Sequence, residues 1–216
     1  GDTDTVGVTG TSRIGNNTTL NLTLAGTTYK TDAVTYTTKA GENIDLTAEA
    51  DTTFTTSDDD ITFGTGTVEM ADGSNLIIDT GTGGGAIELA AGVMGTSSEN
   101  ITLTAGTGNV TVGAIGTGSE IADVTITSTG TTTFNGDFIG GTLKNTGPVI
   151  AGADINIGTG AVTFGGTLDS LNGSQAITFN TPGFEINITG AIGGTNPFGT
   201  FTITEADKFT YNGGGT

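Results

Sequence analysis

Apolar and polar positions alternate along most of this chain in short runs: Leu20, Leu22 and Leu24; Ile61 and Phe63; Ile101 and Leu103; Val110 and Val112; Val124 and Ile126; Ile155 and Ile157; Val162 and Phe164; Ile177 and Phe179; Ile186 and Ile188; Phe201 and Ile203. A period of two puts the apolar set on one face of a strand and the polar set on the other, so each run predicts a half-buried strand. Glu42 to Asp51, with Ile44 and Leu46 in step, reads the same way. No segment places apolar residues at i, i+3, i+4 and i+7 with recognisable caps, and each Gly inside a helix would cost about 1 kcal/mol. Almost no helix is expected. Ala90-Ala-Gly-Val-Met94 is the one stretch compatible with a helical turn.

The runs also recur. Asn109-Val-Thr-Val-Gly-Ala-Ile-Gly, Ala161-Val-Thr-Phe-Gly-Gly-Thr-Leu and Glu185-Ile-Asn-Ile-Thr-Gly-Ala-Ile start 52 and then 24 positions apart. That spacing fits two units and then one unit of about 24 to 26 residues, inside the range of solenoid repeats. Turns are marked by Asp72-Gly73, Gly83-Gly84-Gly85, Asn135-Gly136, Gly140-Gly141 and Gly193-Gly194. Such pairs supply positive φ to a hairpin or to a solenoid corner. Corners of variable length, Gly165 to Gln175 among them, favour a β-helix over the alternative, an antiparallel β-sandwich of a filament or surface-layer subunit. Residues 1–40 are less regular and read as a cap or an exchangeable N-terminal arm. The stretch 42–108 holds the shorter strands and most of the acid, and from 109 onward the repeat is cleaner. No linker divides the chain, so residues 1–216 are expected to form a single elongated domain.

Composition changes the picture in three ways. Gly occurs 39 times and Thr makes up nearly a quarter of the chain. The branched Cβ of Thr suits a pleated strand while its hydroxyl keeps the outer face wet. The formal net charge is −18, with 23 acidic residues against Arg13, Lys30, Lys39, Lys144 and Lys208. That balance argues against nucleic acid and anionic membranes as partners and reads as a solvated acidic surface. Cys is absent, which excludes disulfides, thiolate metal sites and thiol chemistry. No apolar run approaches the roughly 20 residues that span a bilayer, so no membrane insertion is expected. The start at Gly1, without an export signal, reads as a processed or excised piece.

Candidate chemistry is sparse. Asp58, Asp59 and Asp60, with Glu69, Asp72 and Asp79, offer the oxygen ligands that Ca²⁺ prefers, so Asp58, Asp59, Asp60, Glu69 and Asp72 are the candidate metal ligands and Ca²⁺ the candidate cofactor. A solvated acidic turn is the simpler reading, since neither an EF-hand loop nor a Ca²⁺-binding nonapeptide is present. With no His, no Cys, no Trp and one Arg, a catalytic centre would need to be built from Asp, Glu, Lys and Tyr, and no enzymatic activity is expected. Asn-x-Ser/Thr sequons stand at Asn16, Asn17, Asn21, Asn100, Asn109, Asn172 and Asn187, as a Thr-rich chain produces by chance. The Gly-rich stretches lack the Lys-Ser/Thr of a phosphate loop, and acids interrupt the Thr-x-Thr arrays that an ice-binding face would need.

Ile101-Thr-Leu-Thr-Ala-Gly-Thr-Gly-Asn-Val-Thr-Val-Gly and Ala153-Asp-Ile-Asn-Ile-Gly-Thr-Gly-Ala-Val-Thr-Phe-Gly-Gly resemble the repeats of filamentous-haemagglutinin-like, β-strand-repeat bacterial surface proteins, over about residues 99–204. The resemblance implies a secreted, right-handed parallel β-helix acting as an adhesin, fibre or matrix component. With the periodicity, it sets the expectation: a right-handed parallel β-helix of about seven to nine coils, each of about 22 to 28 residues. The expected function is that of a structural protomer or repeat segment of an extracellular filament or cell-surface fibre. Its partners would be other copies of itself or neighbouring repeats, joined by β-edge pairing or by donation of the N-terminal arm. The alternative is a monomeric adhesin module that binds glycans or a surface.

Overall fold

The alternating runs become short strands, wound into a stack of parallel coils. The structure, a computed structural model, describes residues 10–116, 121–158 and 160–213. These residues form 22 strands and no helix. The first face of the stack consists of β1 (Ser12–Gly15), β4 (Val34–Thr37), β7 (Ile61–Phe63), β10 (Ile87–Leu89), β13 (Val110–Val112), β15 (Thr132–Phe134), β17 (Val149–Ala151) and β20 (Leu168–Ser170), paired in that order. The second holds β2 (Leu22–Leu24), β5 (Asn43–Leu46), β8 (Thr67–Met70) and β11 (Val93–Met94), and single bridges from Val93 to Ile115 and Ile115 to Phe138 continue it. The third runs through β3 (Thr28–Lys30), β6 (Thr52–Thr55), β9 (Leu76–Asp79), β12 (Ile101–Gly106), β14 (Ile121–Ser128), β16 (Phe138–Asn145), β19 (Val162–Phe164), β21 (Ala176–Ile188) and β22 (Thr200–Tyr211). β18 (Ile155–Gly158) lies between the start of β16 and the start of β21. From β16 onward, long strands therefore serve the second and third faces together.

Parallel pairing throughout makes this a β-solenoid and excludes the antiparallel sandwich. Following one file up the first face gives the coil lengths. Ser12, Val34, Ile61, Ile87, Val110, Thr132, Val149, Leu168 and Ile192 stand in register, in steps of 22, 27, 26, 23, 22, 17, 19 and 24 residues. Two coils are shorter than the sequence suggested. In one, β16 passes through a corner without a loop; in the other, the corners 152–154 and 165–167 have three residues each.

Three sequence expectations are corrected here. Val110 lies on the first face and Val162 on the third, so the 52-residue spacing between their runs is not two coils. Val162 does pair directly with Ile186, one coil of 24 residues away. The stretch from Gly165 to Gln175 is not one corner, because it contains β20, whose single apolar residue, Leu168, carries no visible alternation. Ala90-Ala-Gly makes a turn, but Val93–Met94 is strand and not helix. Within residues 1–40, the described part forms β1, β2, β3 and β4, each in register with the neighbouring coil.

Inward files of Ile, Val, Leu and Phe fill one continuous core. No aromatic residue lies between Phe63 and Phe134, so the rings form two clusters. Near the start, Phe54 meets Tyr29 (4.7 Å, stacked), Tyr36 (5.5 Å) and Phe63 (5.1 Å). Towards the other end, Phe134, Phe164, Phe179 and Phe201 follow one another at 5.5 to 6.4 Å. One corner is a column of glycines: Gly85, Gly108, Gly130, Gly147, Gly166, Gly190 and Gly213. A Cβ on Gly108 would lie 2.0 Å from the carbonyl oxygen of Gly85, and one on Gly190 would lie 2.3 Å from that of Gly166. Only a hydrogen fits where successive coils approach this closely.

Candidate functional site at the ends of the stack

A stack of parallel coils satisfies its backbone by pairing each coil with the two beside it, so its ends are where unspent pairing capacity collects. β22 pairs with β21 along one side, and among the described residues no strand lies on its other side. Its inward side chains continue the core files: Ile203 stands on Phe179, Phe209 on Ile186 and Tyr211 on Ile188. The supporting residues are fully buried, whereas Phe209 and Tyr211 are 41% and 39% exposed. Phe201 packs against Phe179 (5.5 Å), Phe198 (6.0 Å) and Phe209 (6.3 Å), and with Ile203 and Ala206 it is only partly covered. Among the described residues β22, 12 residues long, is the last strand of the stack. Gly213 repeats the glycine corner, with its Cβ position 2.2 Å from the Gly190 carbonyl oxygen.

The opposite end differs. β1, β2 and β3 have four, three and three residues. Ile14, Leu22 and Tyr29 are partly buried against the core, with Tyr29 lying flat on Phe54. The backbone N–H of Gly10 donates to the Asp32 carboxylate. Residues 12–33 carry Arg13 and Lys30, both exposed, with Asp32, and each later coil is neutral or acidic. The last turn, from Ile192, sets Glu205 and Asp207 against Lys208, whose ammonium lies 3.6 Å from the Glu185 carboxylate.

The acidic candidates are spread over different corners. Asp58, at φ 70°, accepts the backbone N–H of Gly83 (2.5 Å), and Asp60 accepts that of Ala86 (2.7 Å). Both clamp the turn before β7 to the glycine turn of the next coil, and Asp59 sits between them. Glu69 is on β8, on the second face, where it accepts the Asn43 side-chain amide (2.6 Å). Asp72, in the turn after β8, accepts the Ser97 hydroxyl (2.6 Å). The fold thus keeps Asp58, Asp59 and Asp60 at one corner and Glu69 and Asp72 at another. Among the described residues, no three acidic side chains come together to hold a metal ion.

Two carboxylate and amide arrangements escaped the sequence reading. Glu99 is only 1% exposed. It accepts the Thr96 N–H (2.9 Å) and hydroxyl (2.8 Å), the Ser97 N–H (3.0 Å) and, from the coil before, the Gly73 N–H (3.1 Å). Burial by itself pushes this carboxyl up. The hydrogen bonds from the Ser97 backbone and from the Thr96 side chain and backbone outweigh it and hold the group down at about 2. The second is a ladder on the corner before the third face. Asn75 donates its backbone and side-chain N–H to Asp51, Asn100 donates both to Asn75, and the backbone N–H of Asp123 donates to Asn100. Its signal was available: an Asp or Asn directly precedes Thr52, Leu76, Ile101 and Val124, at a spacing of one coil.

The sequons divide between these roles and open surface. Asn100 belongs to the ladder, Asn109 accepts the Thr131 N–H (2.9 Å), and Asn187 buries its carbonyl oxygen on β21. Asn16, Asn17, Asn21 and Asn172 are exposed. A groove on the second face is lined by Asp45, Glu49, Glu69 and Asp72 with Asn21 and Asn43, and another runs past Gly140, Gly141 and Gly160 to the exposed ring of Phe184. Neither groove contains a buried, convergent set of reactive groups. No family model, curated protein or solved structure matches the chain.

Proposed function

We propose that this chain is a structural building block of an extracellular filament or cell-surface fibre, lengthened by β-edge pairing at the ends of its stack and without catalytic activity. One observation carries the reading: among the described residues β22 has a strand on one side only, and its Phe209 and Tyr211 are exposed although Ile186 and Ile188, on which they stand, are fully buried. An edge of this length beside an apolar surface is the arrangement that natural β-proteins otherwise blunt or cover. Direct edge pairing is favoured over arm donation, because β1 and β2 already pair in register with β4 and β5 of their own chain. The acidic side chains support a mechanical role, since Asp51, Asp58, Asp60 and Glu99 tie one coil to the next. The test is light scattering over a range of concentrations, with electron micrographs of the same samples. Elongated particles that lengthen with concentration are expected. A particle of constant, monomeric mass at every concentration would overturn the proposal and leave the monomeric adhesin reading in its place.

A further inference from the structure

We infer that Asn172 accepts an N-linked oligosaccharide on the folded chain, at the corner between the first and second faces, and that the fold closes the sequons at Asn100, Asn109 and Asn187. The inference shares with the filament reading only the extracellular placement that such a transfer needs, and its test does not depend on filament growth.

The seven sequons look alike in sequence, and the stack separates them. In three of them the residues after the Asn are held in a strand that is paired on both sides. Ile101 and Thr102 lie in β12 between β9 and β14, and Val110 and Thr111 lie in β13 between β10 and β15. Asn187 and Ile188 lie in β21 between β19 and β22, and the Thr189 hydroxyl is taken by the carbonyl oxygens of Phe164 (3.1 Å) and Gly165 (2.6 Å). N-glycosylation belongs to surface loops. Presenting any of these three as a loop would strip a strand from two neighbours and leave its ladder groups unpaired.

Asn172-Gly-Ser174 stands in a turn outside the sheets, between β20 and β21. Coils are described on both sides of it, so its exposure does not come from a place at an end of the stack. Asn172 and Ser174 are exposed, and a Cβ on Gly173 would meet nothing nearer than the Pro197 carbonyl oxygen at 3.8 Å. The turn is nevertheless fixed from below. Gly173, at φ 82°, donates its N–H to the buried Ser170 hydroxyl (2.9 Å), and the Asn172 N–H donates to Gln175 Oε1 (3.1 Å). Asn172 Oδ1 accepts the N–H (3.2 Å) and the hydroxyl (2.5 Å) of Ser174. The two side chains that define the sequon are thereby brought together, and among the described residues Nδ2 has no partner. Asn16 makes the same turn with Thr18 (2.8 and 2.6 Å) at this corner of the first coil.

Transfer would join Nδ2 of Asn172 to the anomeric carbon of a lipid-linked oligosaccharide. The anomeric C–O bond breaks, the lipid pyrophosphate leaves with its electron pair, and Nδ2 gives up one proton. Donation to Oδ1 stabilises the charge that the amide takes on as that proton departs. The added glycan would also cover Leu171, which is 52% exposed beside it, and make this corner bulky and hydrated.

The full folded chain is incubated with a purified oligosaccharyltransferase and a lipid-linked oligosaccharide, and peptide mass spectrometry locates the added sugar. Asn172 should gain one glycan while Asn100, Asn109 and Asn187 gain none, although short peptides containing each of these four sequons should all be modified. Ser174→Ala, which removes only an exposed hydroxyl, should abolish addition at Asn172, and Ser174→Thr should preserve it. An Asn172 that stays bare in the folded chain overturns the inference. Modification of Asn187 to the same extent as Asn172 in the folded chain overturns it as well, because the fold would then select nothing.

Discussion

The two ends of this solenoid use the same strand chemistry in opposite ways. At the head, three short strands bend around an aromatic cluster in which Tyr29 lies flat on Phe54. At the tail, a 12-residue strand borders Phe201, Ile203, Phe209 and Tyr211, none fully covered, beside Glu205 and Asp207. The difference shows that exposure here is decided by position in the stack. Tyr211 and Ile188 are members of one file; among the described residues the second has a strand on each side and the first on only one.

The largest test removes one ring from each cluster. Phe54→Ala and Phe179→Ala should each cost about 3–5 kcal/mol, as expected for a fully buried aromatic side chain. Hydrogen exchange should then separate the ends, with Phe54→Ala releasing amides of the first two coils and Phe179→Ala those of the last two. Equal loss along the whole chain from either variant would show that the ends are not independent.

Between the ends, Glu99 supplies a pH-dependent tie. Its folded value of about 2 lies below its ordinary 4.5, so its contribution is complete above about pH 4.5 and disappears as pH falls through about 2. The shift is worth roughly 3 kcal/mol at neutral pH. Glu99→Gln should flatten acid unfolding in this window while the middle coils lose protection first. A variant that keeps the wild-type pH profile would rule out this carboxylate as the cause.

A smaller effect should come from the glycine column near the tail. Gly166→Ala would put a Cβ 2.4 Å from the Gly147 carbonyl oxygen, whereas nothing lies within 4 Å of a Cβ on Gly84. The first should lower stability by about 1–3 kcal/mol and the second by less than about 0.5. Denaturant midpoints that do not separate the two would mean that the coils can spread at no cost.

Much of this was legible in advance. The alternation at Ile101 and Leu103, Ile177 and Phe179, or Ile186 and Ile188 located the strands and their inward faces. The glycine pairs and the variable corners pointed to a solenoid. What misled was the likeness between faces. Val110-Thr-Val and Val162-Thr-Phe have the same pattern yet occupy the first and third faces, because a pleat distinguishes inside from outside but not one face from another. Leu168-Asp-Ser was hidden because its second inward position is Ser170, buried and donating its hydroxyl to Gln175, where an apolar residue would have completed the alternation. The acidic candidates looked like one cluster because their separation across two corners appears only once the coils are stacked.

The sequence by itself determined which residues form strands, which side chains turn inward and where glycine must stand, since these depend on the two-residue pleat and on backbone sterics that act locally. Only the tertiary structure decided how long each coil is and which face each run joins. Those depend on contacts between residues about 20 positions apart, set by corner lengths that no local pattern encodes.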